Sequence, residues 1–143
     1  MYFIVDGITR YFVIEENGDE RTSLFMVSGE FTTDAISFYQ KTIAYGNVQA
    51  ETDCKLIQIS HDVFELLGQN LTFWYPFFNE TSSVFFQSVL KLNRQILHLE
   101  AKEAYVNFLK LYPNIENLVP LQHIASYLGI TPHSLSRIRK ELS

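Results

Sequence analysis

Residues 121–142 read LQHIASYLGITPHSLSRIRKEL, and the reading of the whole chain turns on them. Ile124, Ala125 and Leu128 recur at the spacing of one apolar helix stripe. Pro120 suits the start of that helix, because its missing N–H would be unpaired there anyway. Gly129 follows, and glycine adopts the left-handed conformation that closes a helix at little steric cost. Thr131-Pro132 then supplies an N-cap and a proline at the first helical position. Leu135, Ile138 and Leu142 make the inward stripe of a second helix. The pattern predicts two short helices joined by a Gly-containing turn, the helix-turn-helix plan, with small Ala125 allowing close approach.

If Leu135 and Ile138 point inward, His133, Ser134, Arg137, Arg139 and Lys140 are left largely outward. A second helix of this kind can lie in the major groove of double-stranded DNA with its N-terminal residues at base edges. Arginine can hold guanine O6 and N7 together. Lysine and serine suit phosphates. The plainer alternative is a packed helical hairpin with a solvated basic face.

The bulk numbers narrow the class. The chain has 143 residues and a formal net charge of −5. Residues before His61 are acid-biased, whereas the tail sets Arg137, Arg139 and Lys140 against Glu141. Such a balance argues against coating nucleic acid indiscriminately and leaves room for a local basic patch. With 47% hydrophobic and 15% aromatic residues, the chain can pack an interior. The single Cys54 allows no intramolecular disulfide, cysteine zinc site or iron–sulfur cluster of its own. A reducing, cytoplasmic setting is expected. The start MYFIVDGITR is no signal peptide, and no apolar run nears the ~18 residues of a membrane span. His61, His98, His123 and His133 share no helical ligand spacing, so no metal site is expected. Asp34, Asp53 and Glu15-Glu16 lie in turn-like segments without a nucleophile or phosphate loop, and no enzyme is expected.

The rest of the chain divides by period. Residues 2–5, 9–14, 21–27, 45–50 and 55–59 are β-branched and aromatic, and Asp6-Gly7, Asn17-Gly18 and Ser28–Glu30 mark turns. Residues 34–39 are ambiguous, with a short helix one option. Ser60 is an N-cap for a helix through Leu67, and Gly68 and Pro76 punctuate the next stretch. From about Phe77 to Leu99 the positions Val84, Phe85, Val89, Leu92, Ile96 and Leu99 mark a long amphipathic helix. Another spans 102–111. A helix this long after so small a β-module is expected to bury against a second copy of itself, although its stripe could also be intrachain core. The aromatic run Trp74–Phe78 packs either the junction of β-module and helix or the dimer seam. The expectation is an α+β chain: residues 1–59 an antiparallel sensor module, 60–99 a linker and dimerisation helix, 100–143 a helix-turn-helix domain.

With these residues in hand, the chain resembles the Crp/Fnr family of bacterial transcription regulators, most of all its short, wingless Bacteroidetes type. Residues 124–140 carry the specific likeness, and Gly7–Ile14, Gly18-x-Glu20 and Ser28-Gly-Glu-Phe31 resemble strands of the family's cyclic-nucleotide-binding β-roll. The resemblance implies a homodimer in which a partial β-roll senses a ligand, a long helix pairs with its twin, and the helix-turn-helix reads a DNA half-site. By position, it implies that His133, Ser134 and Arg137 face bases, and that Gln122, Thr131, Arg139 and Lys140 meet phosphates. There are three departures. The chain begins inside the roll, so either it is N-terminally truncated or something else covers that edge. The phosphate-binding cassette holds Thr33-Asp34 and Ala44-Tyr45 where the family's cAMP binders carry Gly-Glu and Arg-Ser. No β-wing follows the last helix. cAMP is therefore not expected as an effector, and no cofactor is expected. A different small effector remains open, with Phe31, Phe38 and Tyr45 beside Asp34 either lining an apolar pocket or serving as core. The alternative function is a ligand-sensing or protein-interaction module that does not bind DNA itself.

Overall fold

The computed structural model describes residues 1–142, except for the side chains at 92 and 95–98. Six strands come first: β1 Tyr2–Asp6, β2 Ile8–Ile14, β3 Glu20–Val27, β4 Phe31–Thr32, β5 Asn47–Ala50 and β6 Lys55–Gln58. Helix α1, Ala35–Gln40, interrupts them. They form two antiparallel three-stranded sheets, ordered β4-β1-β6 and β3-β2-β5. The Asn17-Gly18 pair makes the β2–β3 hairpin, where the Gly18 amide donates to the Glu15 carbonyl at 2.9 Å. The register then runs from Ile14 opposite Glu20 to Ile8 opposite Val27, with a shift between Tyr11 and Phe12.

Helices come next: α2 His61–Asn70, α3 Trp74–His98, α4 Ala101–Leu111, a short 3-10 turn Ile115–Asn117, α5 Leu121–Leu128 and α6 Pro132–Leu142. Three sequence expectations shift here. Strand β5 begins at Asn47 rather than Tyr45, because the Tyr45 and Gly46 amides donate to Asp34 instead of a neighbouring strand. Helix α2 runs through Gly68, which is there for space: a Cβ would sit 2.1 Å from the Tyr75 ring. Helix α3 starts at Trp74, since Pro76 falls in the first turn, where its missing N–H has no intrahelical partner.

The predicted stripe on α3 splits. Val89 is buried and Phe85 half-buried, while Val84, Phe86 and Leu90 are exposed. Leu92 and Ile96 lie outside the described side chains. At its start, Trp74 packs on Phe64 (ring centroids 5.6 Å apart) and on Phe31 of β4 (6.4 Å). The aromatic run therefore sits at the junction of strands and helices. No helix among the described residues is long and apolar enough to cross a membrane.

The largest core lies between β3 and the C-terminal helices. Phe25 has 0% exposure, and its ring sits 5.9 Å from Phe108, 6.0 Å from Tyr112 and 5.5 Å from Tyr127, centroid to centroid. Burying a side chain of this size contributes about 2–3 kcal/mol. The Tyr112 hydroxyl donates to the Phe25 carbonyl at 3.1 Å. Ile124, Ala125, Leu128, Leu135 and Ile138 close the same cluster, so the helix-turn-helix shares one interior with the β-module.

A charged network runs beside that interior. Arg10 on β2 is only 1% exposed and pairs with Glu51 at 2.7 Å and with Glu20. Its guanidinium also donates to Gln49 Oε1 and to Thr22 Oγ1 and lies 4.1 Å over the Phe12 ring. The Glu51 side chain, 2% exposed, reaches His123 Nδ1 of α5 at 2.8 Å with its other oxygen. Ser126 of α5 completes the seam, donating to the Glu20 carbonyl at 3.1 Å and accepting from the Thr22 amide at 3.0 Å. Removing one member of a buried pair leaves the other charge uncompensated. Arg10→Met is therefore expected to lower the unfolding free energy by about 3 kcal/mol or more, read from the urea midpoint. Arg10→Lys should recover only part, because an ammonium lacks the planar fork that serves several acceptors at once.

Candidate nucleic-acid interface and effector pocket

The α5–turn–α6 unit forms as its sequence requires. Gly129 takes φ 68° and ψ 27°, and its amide bonds back to the last turn of α5. The Ile130 amide donates to Ala125 at 3.0 Å, completing the C-terminal cap. Thr131 caps α6, with its Oγ1 accepting from the Ser134 amide at 3.1 Å. Pro120 sits one place earlier than expected, as the residue preceding α5.

Successive helical residues turn by about 100°. That rotation places His133, Ser136, Arg137 and Lys140 on one exposed stripe of α6, opposite buried Leu135 and Ile138. Ser136 is a member that the sequence pattern alone did not single out, although its three-residue step from His133 was the available signal. Two predicted residues flank the stripe. Ser134 is half-buried, and its hydroxyl accepts from Thr131 at 2.9 Å. Arg139 is half-buried, and its charge acts on the Tyr105 phenol. Gln122 and Thr131 are exposed at the starts of α5 and α6. Glu141, the acidic neighbour, pairs with Lys102 of α4 at 3.3 Å. The stripe thus offers an imidazole, a hydroxyl, a guanidinium and an ammonium to a common surface.

The predicted pocket residues separate. A cavity of about 370 Å³ lies between the strands and α3, and Phe31 and Asp34 line it. Phe38 and Tyr45 do not line it. Ile36 faces this cavity, and Phe38, two residues along α1, projects about 200° around the helix. There it stacks on Phe64, with centroids 5.9 Å apart, and belongs to the second core cluster. Tyr45 is 84% exposed, and its amide donates to Asp34. Asp34 caps α1 by accepting from the Ser37 amide at 3.1 Å. Its other oxygen accepts from Tyr11 Oη at 2.8 Å and from the Tyr45 and Gly46 amides at 3.0 and 3.2 Å. Desolvation pushes the Asp34 carboxyl up, but these donated bonds outweigh it and hold the group well below the usual carboxylate range. At the same wall Glu30 accepts from the Val27 amide at 2.9 Å, and burial pushes its carboxyl up.

No protein-family model and no curated protein sequence matches the chain. Solved structures do. FixK2 from Bradyrhizobium japonicum superposes with a TM-score of 0.77 at 14% identity, over 99% of this chain and 73% of that one. A CRP-family transcriptional regulator from Thermus thermophilus gives 0.73 at 13% identity, over 99% and 73%. A Crp/Fnr-family chain from Eubacterium rectale gives 0.70 at 19% identity, over 98% and 67%. At such identities the likeness shows the fold: nearly the whole chain adopts the Crp/Fnr architecture of β-roll, long helix and helical C-terminal part.

Two phenols link this region to alkaline stability. Burial, with the hydrogen bond and charge of Asp34, pushes Tyr11 up to about 12, and burial pushes Tyr127 of α5 up to about 12. Both exceed the ordinary phenol value near 10. A raised folded-state pKa gives stability that is complete below the unfolded value and is lost as pH climbs through the folded one. Unfolding free energy should therefore hold to about pH 10 and fall between about pH 10 and 12. Tyr127→Phe should remove one late-titrating phenol from the 295 nm absorbance titration and make that fall shallower.

Proposed function

We propose that the protein is a sequence-specific, DNA-binding transcription regulator of the Crp/Fnr type that acts as a homodimer. One observation carries the reading: an exposed stripe of His133, Ser136, Arg137 and Lys140 on the second helix of a capped helix-turn-helix. In this reading α6 enters the major groove, with His133, Ser136 and Arg137 at base edges and Lys140, Gln122 and Thr131 toward phosphates. The Ser134 hydroxyl is taken up by the Thr131 cap, and Arg139 reaches a phosphate only from the flank. A net charge of −5 fits a protein that grips DNA at one patch rather than over its whole surface.

The dimer is supported by α3. Phe86 and Leu90, four residues apart, are exposed on one face of it, with Leu90 at 63%. A second α3 laid alongside would cover them and set two recognition helices about one DNA turn, ~34 Å, apart.

Arg137→Ala should weaken specific binding by about 1–3 kcal/mol and relax preference at one base pair, measured by mobility shift on fragments flanking the gene. Lys140→Ala should weaken all sequences alike and reduce the slope of log affinity against log salt by about 1. If Arg137→Ala leaves specific binding intact, the base-reading role fails. Leu90→Glu should convert dimer to monomer by light scattering and abolish specific binding while leaving the fold's circular dichroism unchanged. A Leu90→Glu protein that stays dimeric removes α3 from the dimer seam.

A further inference from the structure

We infer that the cavity between the strands and α3 is a site for an uncharged, largely apolar small molecule, and that it rejects anions such as cyclic nucleotides. Its volume of about 370 Å³ falls in the range of small-molecule sites. The walls are Leu24, Met26, Phe31, Phe78, Phe85 and Phe86, contributed by both sheets and by α3. Among the described residues lining it there is no lysine, arginine or histidine. The charged groups that do line it are Glu30 and Asp34, both carboxyl groups.

The state of those carboxyl groups sets the sign of the selectivity. Asp34 already accepts four hydrogen bonds, from Ser37, Tyr11, Tyr45 and Gly46, and has no need of a cation from a ligand. Its charge is compensated locally but still repels a phosphate or sulfonate brought beside it. Glu30 is desolvated, so its surroundings disfavour ionisation, and a charged ligand would meet the same unfavourable medium. An anion would therefore lose its hydration, gain no cation and face a fixed negative charge. An uncharged ring system would instead exchange water for aromatic and methionine surface.

The site also has a mechanical consequence. A ligand held between β3, β4 and α3 touches both the roll and the helix proposed to pair with its twin. Its action as an effector rests on the regulator reading, but the pocket's selectivity does not.

The test uses the full chain and three probes: neutral N-phenyl-naphthylamine, anionic anilinonaphthalene sulfonate, and cAMP. The neutral probe should brighten and saturate at one site per chain. The two anions should bind about tenfold more weakly or worse. Ser82→Trp on α3 and Ala35→Trp on α1 each fill the cavity, and each should weaken the neutral probe by about tenfold with native circular dichroism. Two positions on different elements guard against one variant misfolding. The inference is overturned if either anion binds as tightly as the neutral probe, if both tryptophan variants leave that probe unaffected, or if no saturable site exists. A mobility shift run in parallel keeps the two readings apart. Loss of DNA binding with the probe site intact would remove the regulator and leave the pocket, and the reverse result would do the opposite.

Discussion

The insertion of Phe25 into the C-terminal helices is the contact on which the rest depends. Its ring meets Phe108, Tyr112 and Tyr127, and its own carbonyl takes the Tyr112 hydroxyl. Most buried members of that core, from Ala104 to Ile138, come from the C-terminal helices, and Ile8 and Phe25 join them from the strands. The sheets are three strands each, and α5 and α6 are short. By sharing one core they bury enough apolar surface to hold the helix-turn-helix at a fixed angle to the roll. Dispersion and burial supply the adhesion, but they are tolerant of small slides. The polar seam of Arg10, Glu51 and His123, with Ser126 on the β3 backbone, supplies the direction. Hydrogen bonds to charged groups are strict about distance and angle, so they fix which face of α5 meets the sheet.

This arrangement resolves the oddity of an acidic protein with a basic end. The acidic residues are not spread at random. Buried Glu51 and, from the surface, Glu20 hold Arg10, and Asp34 is used to cap α1 and bind the following loop. Glu141 is drawn to Lys102. What remains on the outer stripe of α6 is polar or basic. Net charge governs long-range attraction, whereas a local stripe governs what can seat against one helix.

The pocket reflects the same division of labour. Asp34, at one wall of the cavity, gathers donors for itself. A carboxylate that draws in the amides of Tyr45 and Gly46 leaves those amides unable to hold an anion. The surrounding phenylalanines then face a space with little to offer a charge. The likeness of fold to Crp/Fnr regulators leaves the ligand of the cavity to its own side chains, because a fold fixes where a site is and side chains fix what it takes.

The helix-turn-helix was legible in the sequence because its signals are local: Thr131 caps within one turn, Gly129 needs only its own φ, and the apolar steps repeat every three or four residues. The strands and the Asn17-Gly18 hairpin were legible for the same reason. Two boundaries slipped because a group from another element intervened: Asp34 took the amides ahead of β5, and the Tyr75 ring made Gly68 a packing site rather than a break. The burial of Arg10 was invisible, since its partners Glu20, Glu51 and Gln49 lie far along the chain and meet only across strands. So was the difference between Phe31 of β4, which packs on the second core and also lines the cavity, and Phe38 of α1, which packs on that core alone. Sequence by itself determined the order of the elements and the outward place of His133, Arg137 and Lys140 on α6, because those depend on periodicity and caps within a few residues. Tertiary structure decided which charges are buried, which helix sides are covered and which side chains line the cavity, because those depend on groups that only folding brings within contact distance.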